Sequence, residues 1–208
     1  IEGIFIQGGQ KIPLVLTRKP IQPSPGSREA LKEKCDKKEV YITMRDGVKL
    51  FTSIYTPKDK SVTHPILLNR TPYDIEPDGP SSFNIYVQIY SRYTEDNYIM
   101  VFQDVRGKYM SEGAFEDIRP VIPEKRSNKD VDETTDTWDT VDWLIKNVPG
   151  NNGRVGIFGI SYPGFYSTMG AINAHPAVKA VSPQAPVTSW FIGDDFHHNG
   201  AFFILDCF

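Results

Sequence analysis

Arg154-Val155-Gly156-Ile157-Phe158-Gly159-Ile160-Ser161-Tyr162-Pro163-Gly164 is the stretch on which the reading of this chain turns. Arg154 to Gly159 is a short, mostly apolar run, the pattern of a strand buried on both faces of a parallel sheet. Tyr162 to Ala174 reads as a helix. Ser161 stands between them, where the chain must turn sharply and where small neighbours avoid a collision. A serine so placed is held at the carboxyl edge of a sheet, facing a substrate. The helix that begins there supplies a backbone amide and a favourable dipole toward a developing oxyanion. The general pattern is Gly-x-Ser-x-Gly; here Pro163 takes the second glycine position and Gly164 follows it. Proline in a first helical turn is acceptable, because its missing N–H would be unpaired there. The segment predicts a nucleophilic Ser161. Its bland rival is an ordinary strand–turn–helix junction that happens to contain serine.

Working outward, the same alternation of buried strand and helix recurs. Pro65 to Leu68 and Tyr98 to Phe102 are further continuous apolar runs, and Val178 to Val181 reads as a fourth strand. Phe83 to Tyr93 reads as helical. Asp132 to Val148 reads as an amphipathic helix, with Trp138, Val141, Leu144, Ile145 and Val148 at spacings of three and four, stopped by Pro149-Gly150. Upstream, Val40 to Met44 and Lys49 to Tyr55 alternate around Arg45-Asp46-Gly47, a hairpin signal. Strands alternating with helices predict an α/β chain with a mostly parallel central sheet and helices on both faces. Residues 1–37, rich in proline and lysine, read as an arm or linker, and 38–208 as part of one catalytic domain.

Bulk properties narrow the function classes. The chain has 208 residues and a formal net charge of -3, which offers no basic field for nucleic acid or an anionic membrane. No run of ~18 apolar residues suggests a bilayer span. Two cysteines, Cys35 and Cys207, are too few for a disulfide framework or a metal cluster. No cofactor and no metal are expected. The expected partner is a small ester, an amide or a short peptide, with self-association left open.

Four motifs then occur in a recognisable order: Arg70-Thr71-Pro72-Tyr73; Gln103-Asp104-Val105-Arg106-Gly107 with Ser111-Glu112-Gly113; Trp138-Asp139-Thr140-Val141-Asp142-Trp143; and Gly159 to Gly164. From Glu39 to its end the chain resembles the family of α/β-hydrolases that includes cocaine esterases, X-prolyl dipeptidyl peptidases and α-amino-acid ester hydrolases. Gly193-Asp194-Asp195 with His197 to Phe202 is most similar to the amino-acid ester hydrolases and glutaryl acylases. The resemblance implies the α/β-hydrolase fold and a serine acyl-enzyme mechanism. It implies Ser161 as nucleophile, the Tyr73 phenol and the Tyr162 N–H as oxyanion donors, and Asp195 as a ligand for a substrate ammonium. It also suggests an exported protein.

Read by themselves, several of these residues keep other roles open. Tyr73 also fits a core aromatic and Asp195 a helix N-cap. His197 and His198 fit a surface or supporting role on a helix. Trp138 and Trp143 fit packing under the sheet, and Asp104 with Arg106 a buried ion pair. In this fold the triad acid and histidine follow the nucleophile on later strands. His175 lies too close to the helix after Ser161 to serve. The triad partners are therefore expected outside these residues, in a longer protein with further strands, a cap and a β-domain. A non-catalytic hydrolase-like binding domain is the alternative of another class.

Overall fold

The computed structural model describes residues 2–7, 10–15, 26–75, 79, 81–83, 85–189, 191–194 and 197–202. Near the amino terminus β1 (Glu2–Gln7) and β2 (Gln10–Val15) pair antiparallel as a separate hairpin. Helix α1 (Arg28–Lys34) follows, capped by the Ser27 side chain, and it buries Leu31. Among the described residues, α1 is thus packed on the core. The expectation of an unpacked arm up to residue 37 is corrected: Leu31 and Cys35 enter the core beside Phe51 and Tyr55.

The main sheet has six strands in the order β3-β4-β6-β5-β7-β8. These are β3 (Cys35–Thr43), β4 (Lys49–Pro57), β5 (His64–Thr71), β6 (Ile99–Asp104), β7 (Asn151–Ile160) and β8 (Val178–Gln184). The β3–β4 hairpin turns where expected, through Gly47 at φ 92. Strands β6, β5, β7 and β8 run parallel to one another, while β4 joins β6 antiparallel. From β5 the chain crosses to β6 on one side and then returns past it to β7 on the other. The carboxyl ends of β5 and β7 therefore border the crevice where doubly wound sheets bind ligands.

Alternation along each strand builds a core on both faces. Leu50, Ile54, Ile66, Leu68, Ile99 and Val101 face one side. Helix α4 (Glu133–Asn147) covers them with Val141 and Leu144. Phe51, Tyr55, Met100 and Phe102 face the other side. There they meet α1 and the short helices α2 (Ile85–Ile89) and α3 (Ser91–Glu95). One helix was expected over Phe83 to Tyr93. The break falls at Tyr90, whose ring turns in against Phe158 at 4.9 Å. Helix α4 begins with a capping box: Asp132 accepts from the Thr134 and Thr135 amides, and the Thr135 hydroxyl accepts from the Asp132 amide. Helix α5 (Tyr162–Ala171) leaves β7 directly. Three two-residue strands follow among the described residues, β9 (Gly193–Asp194), β10 (His197–His198) and β11 (Ala201–Phe202), so the two histidines lie on a strand rather than a helix.

Candidate active site

Ser161 sits in the left-handed region at φ 61, ψ -121. A non-glycine residue there is strained, and such strain persists only where its surroundings enforce it. The enforcement is visible on both sides. A β-carbon on Gly159 would stand 2.2 Å from the Pro163 carbonyl oxygen, and one on Gly164 would stand 2.7 Å from that of Gln184. The glycine displaced by one position therefore still serves the turn, because it is residue 164 that lets α5 start against the end of β8. The Ser161 amide donates to the Gln184 carbonyl at 2.9 Å, and the first helical bond runs from the Phe165 amide to the Ser161 carbonyl at 3.1 Å. The Tyr162 amide lies ahead of that bond, among the donors a helix start leaves free. The Ser161 side chain is exposed.

Tyr73 arrives from the neighbouring strand, two residues past the end of β5. Its amide donates to the Thr71 hydroxyl at 3.0 Å, while the Thr71 carbonyl accepts from Val105 at 3.0 Å. The ring is 49% exposed, which excludes the core-aromatic reading, and it meets the Tyr162 ring edge to face at 6.5 Å. The structure thus gathers Tyr73, Ser161 and Tyr162 at the ends of adjacent parallel strands. Asp195 lies outside the described residues, as does Cys207.

The histidines are engaged elsewhere. His64 Nε2 lies 2.9 Å from the Asp59 carbonyl. His175 Nδ1 accepts from the Ala177 amide at 3.0 Å, with Nε2 3.6 Å from Asp142. The His197 ring lies against Phe191 and Phe202. These contacts are all with residues other than Ser161.

Beneath the crevice lies a buried ionic network that sequence reading found only in part. Arg106 does not pair with Asp104, because the chain turns over residues 105–108 and the two side chains diverge. Arg106 instead binds Asp136 at 2.7 Å and Asp46 at 2.7 Å. Arg70, fully buried, donates to Gln103, Glu133 and Thr137 at 2.8 to 3.1 Å, and its guanidinium lies over the Tyr166 ring. The polar first half of α4, Glu133 to Thr137, is buried for this reason. Of the two tryptophans, Trp143 packs on the core, but Trp138 lies half-buried between Arg45 and His175. Asp104, at the end of β6, accepts from the Ile75 amide at 3.2 Å. Burial pushes its carboxyl up to about 7, opposed by that bond and reinforced by Asp74. Burial likewise pushes the Cys35 thiol up to about 11, leaving it inert at neutral pH.

A cavity of about 400 Å³ lies beside α4, lined by Arg45, Lys125, Thr134, Thr135, Trp138 and Asn173. Its two cations are already held, Arg45 by Asp139 and Lys125 by Asp132. Among the described residues, no group of three potential ligands is placed to hold a metal ion. No described helix is long and apolar enough to cross a membrane.

Comparison with known proteins agrees with this geometry. The sequence profile of the X-Pro dipeptidyl-peptidase (S15) family matches residues 46–206. A cocaine esterase from Rhodococcus sp. (strain MB1 Bresler) is 32% identical over 150 residues, covering 70% of this chain and 22% of the relative. A solved α-amino acid ester hydrolase is 42% identical, with a TM-score of 0.69 over 88% of this chain and 30% of that one. An aminopeptidase from a marine sediment archaeon (Thaumarchaeota archaeon) is 39% identical, with a TM-score of 0.72 over 90% of this chain and 31% of that one. The chain thus spans between a fifth and a third of these relatives, and its fold is that of the α/β-hydrolases.

Proposed function

The chain belongs to the S15 family of X-Pro dipeptidyl-peptidases, and from that premise we propose that it carries the nucleophile half of a serine hydrolase acting by acyl transfer. The observation that carries the reading is the strained left-handed Ser161, flanked by Tyr73 and by the first free amide of α5. The Ser161 oxygen attacks the carbonyl carbon of an ester or amide while its proton passes to a base. In this reading the base and its orienting acid come from outside the described residues. The Tyr73 hydroxyl and the Tyr162 N–H donate to the tetrahedral oxyanion. Collapse of that intermediate expels an alcohol or amine and leaves an acyl-serine, which water then hydrolyses. No step needs a metal or cofactor.

The acyl group favoured is that of an α-amino acid. Support comes from the 42% identity to an enzyme named for such esters, and from the acidic pair Asp194-Asp195, suited to an ammonium group. The cocaine esterase and the family description keep a general carboxylesterase and an X-prolyl dipeptidyl peptidase as second readings. The test is hydrolysis of α-amino-acid esters and their des-amino counterparts by the complete gene product, with Ser161→Ala and Asp195→Asn alongside. Loss of turnover in the first variant and loss of amino preference in the second is the expected result. Turnover that needs Ser161 but ignores the amino group points to the general esterase. Failure of a fluorophosphonate to label Ser161 would leave a non-catalytic binding domain.

A further inference from the structure

The Tyr162 side chain does not point into the crevice beside its own amide. It runs instead to the segment 114–119. Its hydroxyl donates to the Asp117 carboxylate and accepts from the Ile118 amide at 3.0 Å. Ile118 has φ 43, a left-handed backbone that a β-branched residue adopts only under constraint. The constraint comes from how tightly this strap is seated. A β-carbon on Gly107 would stand 2.1 Å from the Phe115 amide nitrogen, so only glycine lets the strap lie so close. Lys108 lies over the Phe115 ring at 3.9 Å, and Arg119 donates to the Ala114 carbonyl at 2.8 Å. Ile118 packs on the cluster formed by Phe165, Tyr166 and Val105 under the nucleophile helix.

Held at its far end, the Tyr162 ring is also gripped along its length. It stacks on Tyr166 at 5.2 Å and meets Phe165 and Tyr73 edge to face at 6.0 and 6.5 Å. One side chain therefore braces both oxyanion donors: its own backbone amide, and the ring that carries the Tyr73 hydroxyl. Burial raises the Tyr162 phenol above its ordinary range, and the Asp117 carboxylate adds to that, so the phenol stays protonated and keeps donating.

We propose that Asp117 is a positioning residue of the oxyanion hole, acting through its bond to the Tyr162 hydroxyl. The inference rests on the reading of Ser161, Tyr73 and Tyr162 given above. Asp117 is exposed and lies outside the apolar core, so its removal leaves that core intact. What it supplies is orientation, and small misplacements of catalytic donors cost rate steeply.

The experiment compares wild type with Asp117→Ala, Asp117→Asn and Ser161→Ala in the complete gene product, using a p-nitrophenyl ester. Reactive serines are counted by fluorophosphonate titration, so that kcat is expressed per titrated site. Asp117→Ala is expected to lower that kcat about tenfold with KM and melting temperature unchanged. Asp117→Asn, which keeps an oxygen acceptor for the phenol, is expected to recover most of the loss. The proposal is overturned if kcat per titrated site is unchanged in Asp117→Ala, or if a smaller count of reactive serines explains the whole loss. Persisting turnover in Ser161→Ala would sink the nucleophile reading itself, and this inference with it, a result distinct from either of those.

Discussion

Gly159 lies so close beneath Pro163 that a β-carbon on it would stand 2.2 Å from the Pro163 carbonyl oxygen and 2.8 Å from the Pro163 β-carbon. Both contacts are with groups that cannot swing away, since one belongs to the backbone and the other to a ring. Gly159→Ala must therefore push α5 off β7, and Ser161 moves with it. A loss of about 1 to 3 kcal/mol in unfolding free energy is expected from the overpacking. In the complete gene product, the rate of Ser161 phosphonylation should fall further than the stability loss accounts for. Chemical denaturation read beside labelling kinetics checks both.

Tyr73→Phe removes one hydroxyl and leaves the edge-to-face contact with Tyr162 in place. If the phenol donates to the oxyanion, kcat falls roughly 100- to 1,000-fold with little change in KM. A full kinetic profile on one ester decides the matter, and a drop under threefold would return Tyr73 to the pocket wall.

Arg106 joins α4 to the β3–β4 turn through Asp136 and Asp46, with its side chain 4% exposed. Arg106→Met leaves the buried Asp136 carboxylate with the Arg70 guanidinium, 3.7 Å away, as its remaining ion-pair partner, so the expected cost is at most about 3 to 5 kcal/mol. The double change Arg106→Met with Asp136→Leu removes both buried charges and should recover part of that loss. Denaturant titration of the three proteins separates the pair from its parts.

Asp104 gives stability a pH dependence of defined sign. Its folded carboxyl is pushed up to about 7 by burial, above the ordinary aspartate value of 3.8, so between those values the folded state holds the proton more tightly. Its contribution is then full at low pH and is lost as pH rises through about 7. Asp104→Asn should flatten this component of the melting-temperature profile between pH 4 and pH 8. An unchanged slope in that window would show that other groups set it.

Much of the architecture was legible because strand and helix periods are strong here. The runs Pro65–Leu68 and Arg154–Gly159 each lie within a parallel strand, Tyr98–Phe102 enters one at Ile99, and Asp132 was recognisable at the head of α4. The nucleophile turn was legible because its chemistry demands glycine beside serine. The polar network was not. Glu133 to Thr137 is a hydrophilic run, and only the three-dimensional approach of Arg70 and Arg106 makes it interior. The Asp117 strap escaped notice for a similar reason: 114–119 has no period of its own, and its partner Tyr162 lies 45 residues on. Leu31 was hidden among lysines and glutamates, too sparse a signal to mark α1 as packed.

The strand order also sets a sequence of events in time. Leu68 on β5 pairs with Val101 on one side and with Ile157 on the other, partners about thirty and ninety residues downstream. At a synthesis rate of about 5 to 20 residues per second, the second partner emerges several seconds to roughly 18 seconds after β5. Through that interval the apolar flank of β5 waits with at least one neighbour missing, open to chaperones or to wrong partners. The strand that delivers Ser161 is the one that closes this flank. The nucleophile therefore emerges only after the strand that buries β5, and a nascent chain halted before residue 157 should be prone to self-association.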